Sequence, residues 1–127
     1  MHERPTVALA DDDVVLAELV SAWLEHAGYD VLRFESGDAL LDWAAEAPSS
    51  VDAFLLDVDM PGRNGLESIR ALRGIPIYSG TPTVFVSAHA PDDVVEQVSA
   101  AGSSLLRKDA HLLPRLTEWL GAALAPV

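Results

Sequence analysis

Cysteine is absent from the chain, so neither a disulfide nor a thiolate metal site can contribute to its structure or chemistry. Positive charge is scarce. Twenty acidic residues face eight basic ones, leaving a formal net charge of −12. Nucleic acid and anionic membrane would both be repelled by such a surface, which argues against either as a direct partner. Lysine is nearly missing as well: seven of the eight cations are arginines and Lys108 stands alone. No apolar run approaches the roughly 18 residues that a membrane span needs. The amino terminus, MHERPT, carries charge and a proline where a secretory signal would be apolar. Together these lacks predict a cytoplasmic protein.

What is present is a chain of 127 residues, half of them hydrophobic, which is enough for one globular domain with its own core. No repeat, linker or low-complexity tract divides it, so residues 1–127 read as a single domain with no second, output domain visible. Two apolar runs end abruptly in acid: VALADDD at Val7–Asp13 and AFLLDVDMPG at Ala53–Gly62. A buried strand ending in aspartate delivers a carboxylate to the rim of a sheet. Two such strands side by side would crowd Asp11, Asp12 and Asp57. Like charges about 4 Å apart repel by roughly 4 kcal/mol at an effective dielectric near 20. A cation is the natural remedy.

Short β-type runs alternate with amphipathic helical patterns, the signature of βαβ units and a parallel sheet. The predicted strands are Thr6–Ala10, a short one holding Val31, Leu32 and Phe34, then Ala53–Leu56, Thr83–Ser87 and Leu105–Arg107. The first helix presents Val15, Leu16, Leu19, Val20, Trp23, Leu24 and Ala27 on one broad face and stops at Gly28. Asp13 suits its N-cap, and Ser36 suits that of a second helix ending before Pro48. A third helix carries Leu66, Ile69 and Leu72. Gly74–Pro82 reads as a loop, longer than a compact α/β turn requires. Pro91 is placed at the first position of a fourth helix, with Asp92 and Asp93 at the positive end of its dipole, and Gly102 ends it. His111–Leu124 forms the last. The tryptophans Trp23, Trp43 and Trp119 fall at helical spacing and read as core, Trp119 being the one best placed to face a partner. Five strands and five helices in alternation give an α/β, doubly wound parallel sheet with helices on both faces. Ligands of such sheets bind at the carboxyl ends of the strands.

Asp11, Asp12, Asp57, Ser87 and Lys108 all fall at those ends. Each has an ordinary reading alone, as a loop residue, a cap or a solvated ammonium. Their conjunction places carboxylates, a hydroxyl and an ammonium on one rim. Oxygen ligands with no cysteine and no convergent histidine suit a hard cation, Mg²⁺ above all.

At these positions the chain resembles the receiver domains of two-component response regulators. The matching segments are ADDD at Ala10–Asp13, LLDVDMPGRNG at Leu55–Gly65, VSA at Val86–Ala88 and RKD at Arg107–Asp109. The loop from Asp57 through Met60, Pro61 and Gly65 is the most specific of them. The resemblance covers nearly the whole chain and implies a flavodoxin-like sheet in the order 2-1-3-4-5. It implies that Asp57 accepts a phosphoryl group from a phosphohistidine donor, a histidine kinase or phosphotransfer protein. It implies a Mg²⁺ site made by Asp11, Asp12, Asp57 and the backbone carbonyl of Asp59, with Ser87 and Lys108 contacting the phosphoryl oxygens. Such a chain is a signalling phosphoacceptor rather than an enzyme, with intrinsic autophosphorylation and autodephosphorylation. Its switched surface would be the fourth helix, fifth strand and fifth helix, docking a downstream protein or a second copy.

Two departures stand out. The position of the family's aromatic switch is Leu105, and the turn Gly102–Ser104 is one residue short of the usual pattern. Asp59 and His89, two residues beyond the acceptor and the hydroxyl, occupy positions that tune dephosphorylation in receivers. For His89 the plainer reading is an exposed loop histidine. Two rival functions follow from the same residues. Asp57-Val58-Asp59 matches the Asp-x-Asp of haloacid dehalogenase-like phosphatases, although those enzymes place it near the amino terminus and their other acids downstream. The second rival is a docking module that works without phosphorylation, which Leu105 keeps open.

Overall fold

In the computed structural model, residues 4–46, 49–89 and 91–125 are described. Five strands, β1 (Thr6–Ala10), β2 (Asp30–Phe34), β3 (Ala53–Asp57), β4 (Thr83–Ser87) and β5 (Ser104–Arg107), alternate with five helices. The helices are α1 (Val14–His26), α2 (Gly37–Glu46), α3 (Gly65–Arg73), α4 (Asp92–Ala100) and α5 (Leu112–Ala123). The sheet has the order β2-β1-β3-β4-β5, and every pairing is parallel. The expected α/β doubly wound architecture is therefore the one observed. The stop expected before Pro48 lies outside the described residues, and α2 ends at Glu46.

Alternation along the strands divides the core in two. Ala8, Ala10, Phe54, Leu56 and Phe85 pack with Leu40 and Ala44 of α2, Leu66, Ile69 and Leu72 of α3, and Val98 of α4. Val7, Leu9, Leu55, Val84 and Val86 pack on the opposite face with Ala17, Val20 and Leu24 of α1 and Leu112, Leu116 and Leu120 of α5. Strands β3 and β4 are buried along their whole length, as central parallel strands covered on both faces must be.

Three sequence expectations are corrected. The broad apolar face of α1 splits. Ala17, Val20, Ser21 and Leu24 face the sheet, while Val15, Leu19 and Trp23 are 78%, 53% and 42% exposed. A helix of 3.6 residues per turn lying on a sheet buries one stripe, and an apolar arc wider than that stripe leaves its remainder outside. Trp23 is therefore not core; its indole N–H donates to Thr117 Oγ1 on α5 at 2.7 Å. Pro91 is the N-cap of α4 rather than its first residue. With ψ at 152° it is still extended, and its carbonyl already accepts from the amides of Val94 and Val95. The segment expected as a plain loop contains a 3₁₀ turn at Pro76–Tyr78. Its length serves to carry Tyr78, fully buried, edge-on against Phe54 with ring centroids 5.2 Å apart.

The two expected caps, Asp13 and Ser36, are present. Asp13 accepts from the Leu16 amide at 3.1 Å, and Ser36 from the Ala39 amide at 3.0 Å. Asn64 and Glu67 form a full capping box at the start of α3.

Candidate functional site

The carboxyl ends of β1, β3 and β5 converge. Each delivers a polar side chain because an apolar strand can enter the core only up to the point where its chain turns into solvent. Asp11 follows β1, Asp57 closes β3 and Lys108 follows β5. Asp11 and Asp57 are both buried. The Lys108 ammonium lies between them, 3.0 Å from Asp57 Oδ2 and 3.1 Å from Asp11 Oδ2. The other Asp57 oxygen accepts from the Asp59 amide at 3.1 Å. The second Asp11 oxygen accepts from the Asp13 amide at 2.9 Å. Asp12 is exposed, yet carboxylate oxygens of Asp11, Asp12 and Asp57 all come within 4.8 Å of one another. Three such oxygens from two chain segments, with no nitrogen or sulfur donor among them, could hold a hard divalent cation.

The electrostatics follow from this crowding. Burial, followed by the charge of Asp11, pushes the Asp57 carboxyl up to about 7, against the opposing pull of Lys108 and the Asp59 amide. For Lys108 burial acts to lower the pKa, but hydrogen bonds and charge from Asp57 and Asp11 override it and raise the ammonium above its usual range. One cation is thus shared by two buried carboxylates, and the pocket is short of positive charge.

Local backbone holds the Asp57 segment in place. The Val58 amide donates to the Val86 carbonyl at 2.9 Å, and the Gly65 amide donates to the Val58 carbonyl at 3.2 Å. A Cβ on Gly65 would collide with the carbonyl of Asp57, so α3 can approach the strand end this closely only through a glycine. Gly62 has a φ of +73°, and a Cβ there would strike the Asp38 carboxylate. Asp38 in turn pairs with Arg63 at 3.6 Å, bracing the loop from α2. Sequence reading missed this brace, for a pair brought together by tertiary packing leaves no local pattern.

Ser87 is buried at the end of β4, but its hydroxyl engages its own loop rather than Asp57. It donates to the His89 carbonyl, accepts from the His89 amide at 3.2 Å and lies 3.5 Å from Asp59 Oδ2. Of the residues expected at the site, Asp11, Asp12, Asp57 and Lys108 therefore form one cluster. Ser87, Asp59 and His89 form a second group joined to it through the Asp59 amide. The side chains of Asp59 and His89 are exposed. Leu105 is half-buried and pairs with Phe85 across β4 and β5, against the helix-α4 side of the core.

Comparison with known proteins agrees with this fold. The family model for the response regulator receiver domain matches residues 7–116. The chain is 32% identical over 122 residues to the transcriptional regulatory protein CpxR homolog of Haemophilus influenzae, covering 93% of this chain and 51% of that protein. It is 30% identical over 99 residues to the signal transduction histidine-protein kinase BarA of Escherichia coli, covering 78% and 11%. Among solved structures, chemotaxis protein CheY4 of Vibrio cholerae superposes with a TM-score of 0.86 at 26% identity, over 96% of this chain and all of that one. The chain spans about half, or less, of the length of these curated relatives.

Proposed function

The chain belongs to the response regulator receiver domains, and from that premise we propose that it is the phosphoacceptor of a two-component phosphorelay, with Asp57 as the acceptor. The observation that carries this reading is the Lys108 ammonium set between two buried carboxylates, 3.0 Å from Asp57. A carboxylate oxygen of Asp57 attacks the phosphorus of a phosphohistidine in line. The O–P bond forms as the P–N bond breaks, and the imidazole departs with the bonding electron pair and is protonated. Lys108 then balances charge on the phosphoryl oxygens as a compact, mobile cation where arginine's planar fork would be harder to seat. A Mg²⁺ held by Asp11, Asp12, Asp57 and the Asp59 carbonyl would supply the charge that keeps Asp57 ionised and screens the incoming group. The Ser87 hydroxyl exchanges the His89 carbonyl for a phosphoryl oxygen, drawing the β4–α4 loop toward the site.

Phosphorylation adds close to two negative charges where acid is already crowded. In this reading the change reaches a partner, or a second copy, through α4, β5 and α5. With Leu105 in place of an aromatic switch, the loop carrying Ser87 and His89 is the route. The phosphodonor is a histidine kinase or phosphotransfer protein. We read residues 1–127 as one cytoplasmic receiver domain that signals rather than turning over a substrate. Family membership, and the position of Asp11 and Asp12 ahead of Asp57, leave the phosphatase reading without support.

Treatment with acetyl phosphate and Mg²⁺ followed by intact mass measurement tests the proposal. A single phosphoryl adduct that disappears in Asp57→Asn is expected. No adduct on the native chain would sink phosphotransfer and favour the phosphorylation-independent docking module.

A further inference from the structure

Three of the cavities that the described residues border differ in the charge of their walls. One, about 240 Å³, lies beside the carboxylate site and includes Asp11 and Glu35 with Arg33. Another, about 400 Å³, sets Arg115 against Glu118 on α5. The third, about 440 Å³, lies between the carboxyl-terminal halves of α3 and α4. Its walls are Ile69, Arg70 and Arg73 from α3, with Gln97, Ala100 and Ala101 from α4 and its cap. Two arginines and a glutamine line it and no acidic residue does, in a chain whose net charge is −12.

The guanidinium of Arg73 is fixed. Nη1 donates to the carbonyls of Tyr78 and Thr81 at 2.7 and 2.8 Å, and Nη2 to Thr83 Oγ1 at 3.2 Å. All three acceptors are neutral. Among the described residues no carboxylate pairs with Arg73 or with Arg70. A half-buried cation held only by neutral dipoles is undercompensated, and burial accordingly lowers its pKa. Arg70, in the same last turn of α3, is exposed and makes no side-chain hydrogen bond among the described residues. Ile69, which is buried, supplies an apolar floor, and Ala100 and Ala101, both exposed, leave room beside it with their short side chains. The volume lies within the range of small-ligand pockets.

We propose that the α3–α4 cavity binds a small amphipathic organic anion, its acidic group on Arg70 and Arg73 and its apolar body against Ile69, Ala100 and Ala101. The site is separate from the carboxylate rim and does not depend on phosphotransfer. It does touch two elements flanking that rim: α3 starts at Gly65, against the Asp57 backbone, and α4 follows the loop that carries Ser87. An anion gripping both helices would tie them together.

Two dyes of similar shape provide the probe: 8-anilinonaphthalene-1-sulfonate, which is anionic, and N-phenyl-1-naphthylamine, which lacks the sulfonate. Fluorescence titration of the whole native chain should show saturable one-to-one binding of the anionic dye, about tenfold tighter than the neutral one. Arg70→Glu, at an exposed position, should cost the anionic dye about tenfold and leave the neutral dye unchanged. Ala100→Trp should remove both by filling the floor. Amide shifts induced in the native chain by the anionic dye should centre on residues 69–73 and 97–101. Equal affinity for the two dyes, indifference to Arg70→Glu, or shifts centred on the exposed apolar stripe of α1 would each overturn the proposal. Absence of saturable binding would do the same.

Discussion

Replacing Asp57 by asparagine should stabilise the metal-free protein, and do so more at alkaline pH. The native carboxyl titrates near 7 and an unfolded aspartate near 3.8. The folded state therefore holds the proton to higher pH, and stability from this group is complete below about pH 4 and lost as pH rises through 7. A displacement of that size corresponds to about 4 kcal/mol when both states are fully ionised. At pH 5 less than half of it is expressed, because the native carboxyl is still protonated while the unfolded one is not. Asparagine keeps the shape and has nothing to titrate. Lys108 retains Asp11 at 3.1 Å, and its attraction to ionised Asp57 is already contained in that value of about 7. The stability difference between Asp57→Asn and the native chain should therefore grow by about 2–3 kcal/mol from pH 5 to pH 8. In a domain of this size that is about 10 °C in melting temperature. Urea unfolding in EDTA at the two pH values measures it. A difference that stays constant, or shrinks as pH rises, would refute the view that Asp57 carries the strain of the pocket.

Adding Mg²⁺ at pH 8 should raise the native chain's melting temperature with rising concentration and raise that of Asp57→Asn much less, as followed by scanning calorimetry. Lys108→Ala should destabilise the metal-free protein at pH 8 by about 3 kcal/mol in urea, since two buried carboxylates lose their shared cation. Gly65→Ala should cost about 1–3 kcal/mol of stability, because its Cβ has no space beside the Asp57 carbonyl, and should slow adduct formation with acetyl phosphate. Tyr78→Phe should cost about 1–2 kcal/mol in the same unfolding assay, through loss of the hydroxyl's bonds to the Ser49 carbonyl and amide at 2.7 and 3.1 Å.

The sheet was legible because its information is local. An apolar run such as Phe54–Leu56 closed by Asp57 states both its burial and its end. Caps such as Asp13 and Ser36 mark helix starts with side chains that reach only three residues. The crowding of Asp11, Asp12 and Asp57 was legible for the same reason, since parallel strands of equal polarity bring equivalent ends together. Hidden from sequence were features decided by orientation and by distant packing. Val15, Leu19 and Trp23 are as apolar as Val20 and Leu24, and only the placement of α1 against the sheet separates them. Tyr78 sits among glycine and proline, where nothing local announces that its ring enters the core. The hydroxyl of Ser87 could be placed at the rim but not aimed; its bond to the His89 loop is a choice among rotamers.

The all-parallel sheet bears on how the chain folds. No strand meets its partner through a hairpin: Val7 pairs with Val31 and Ala53, and Phe54 pairs with Thr83. Each pairing must close a long loop before its contacts repay the entropy, so folding belongs to the slower, non-local range of small α/β domains. Asp11, Asp57 and Lys108 come from three different strand ends and meet only once β1, β3 and β5 are all docked. Their mutual repulsion and its relief are thus felt only once those three strand ends have met. If the strands meet after the folding barrier, a bound cation should lengthen the lifetime of the native state and leave the rate of reaching it nearly untouched, as stopped-flow folding and unfolding with and without Mg²⁺ would show.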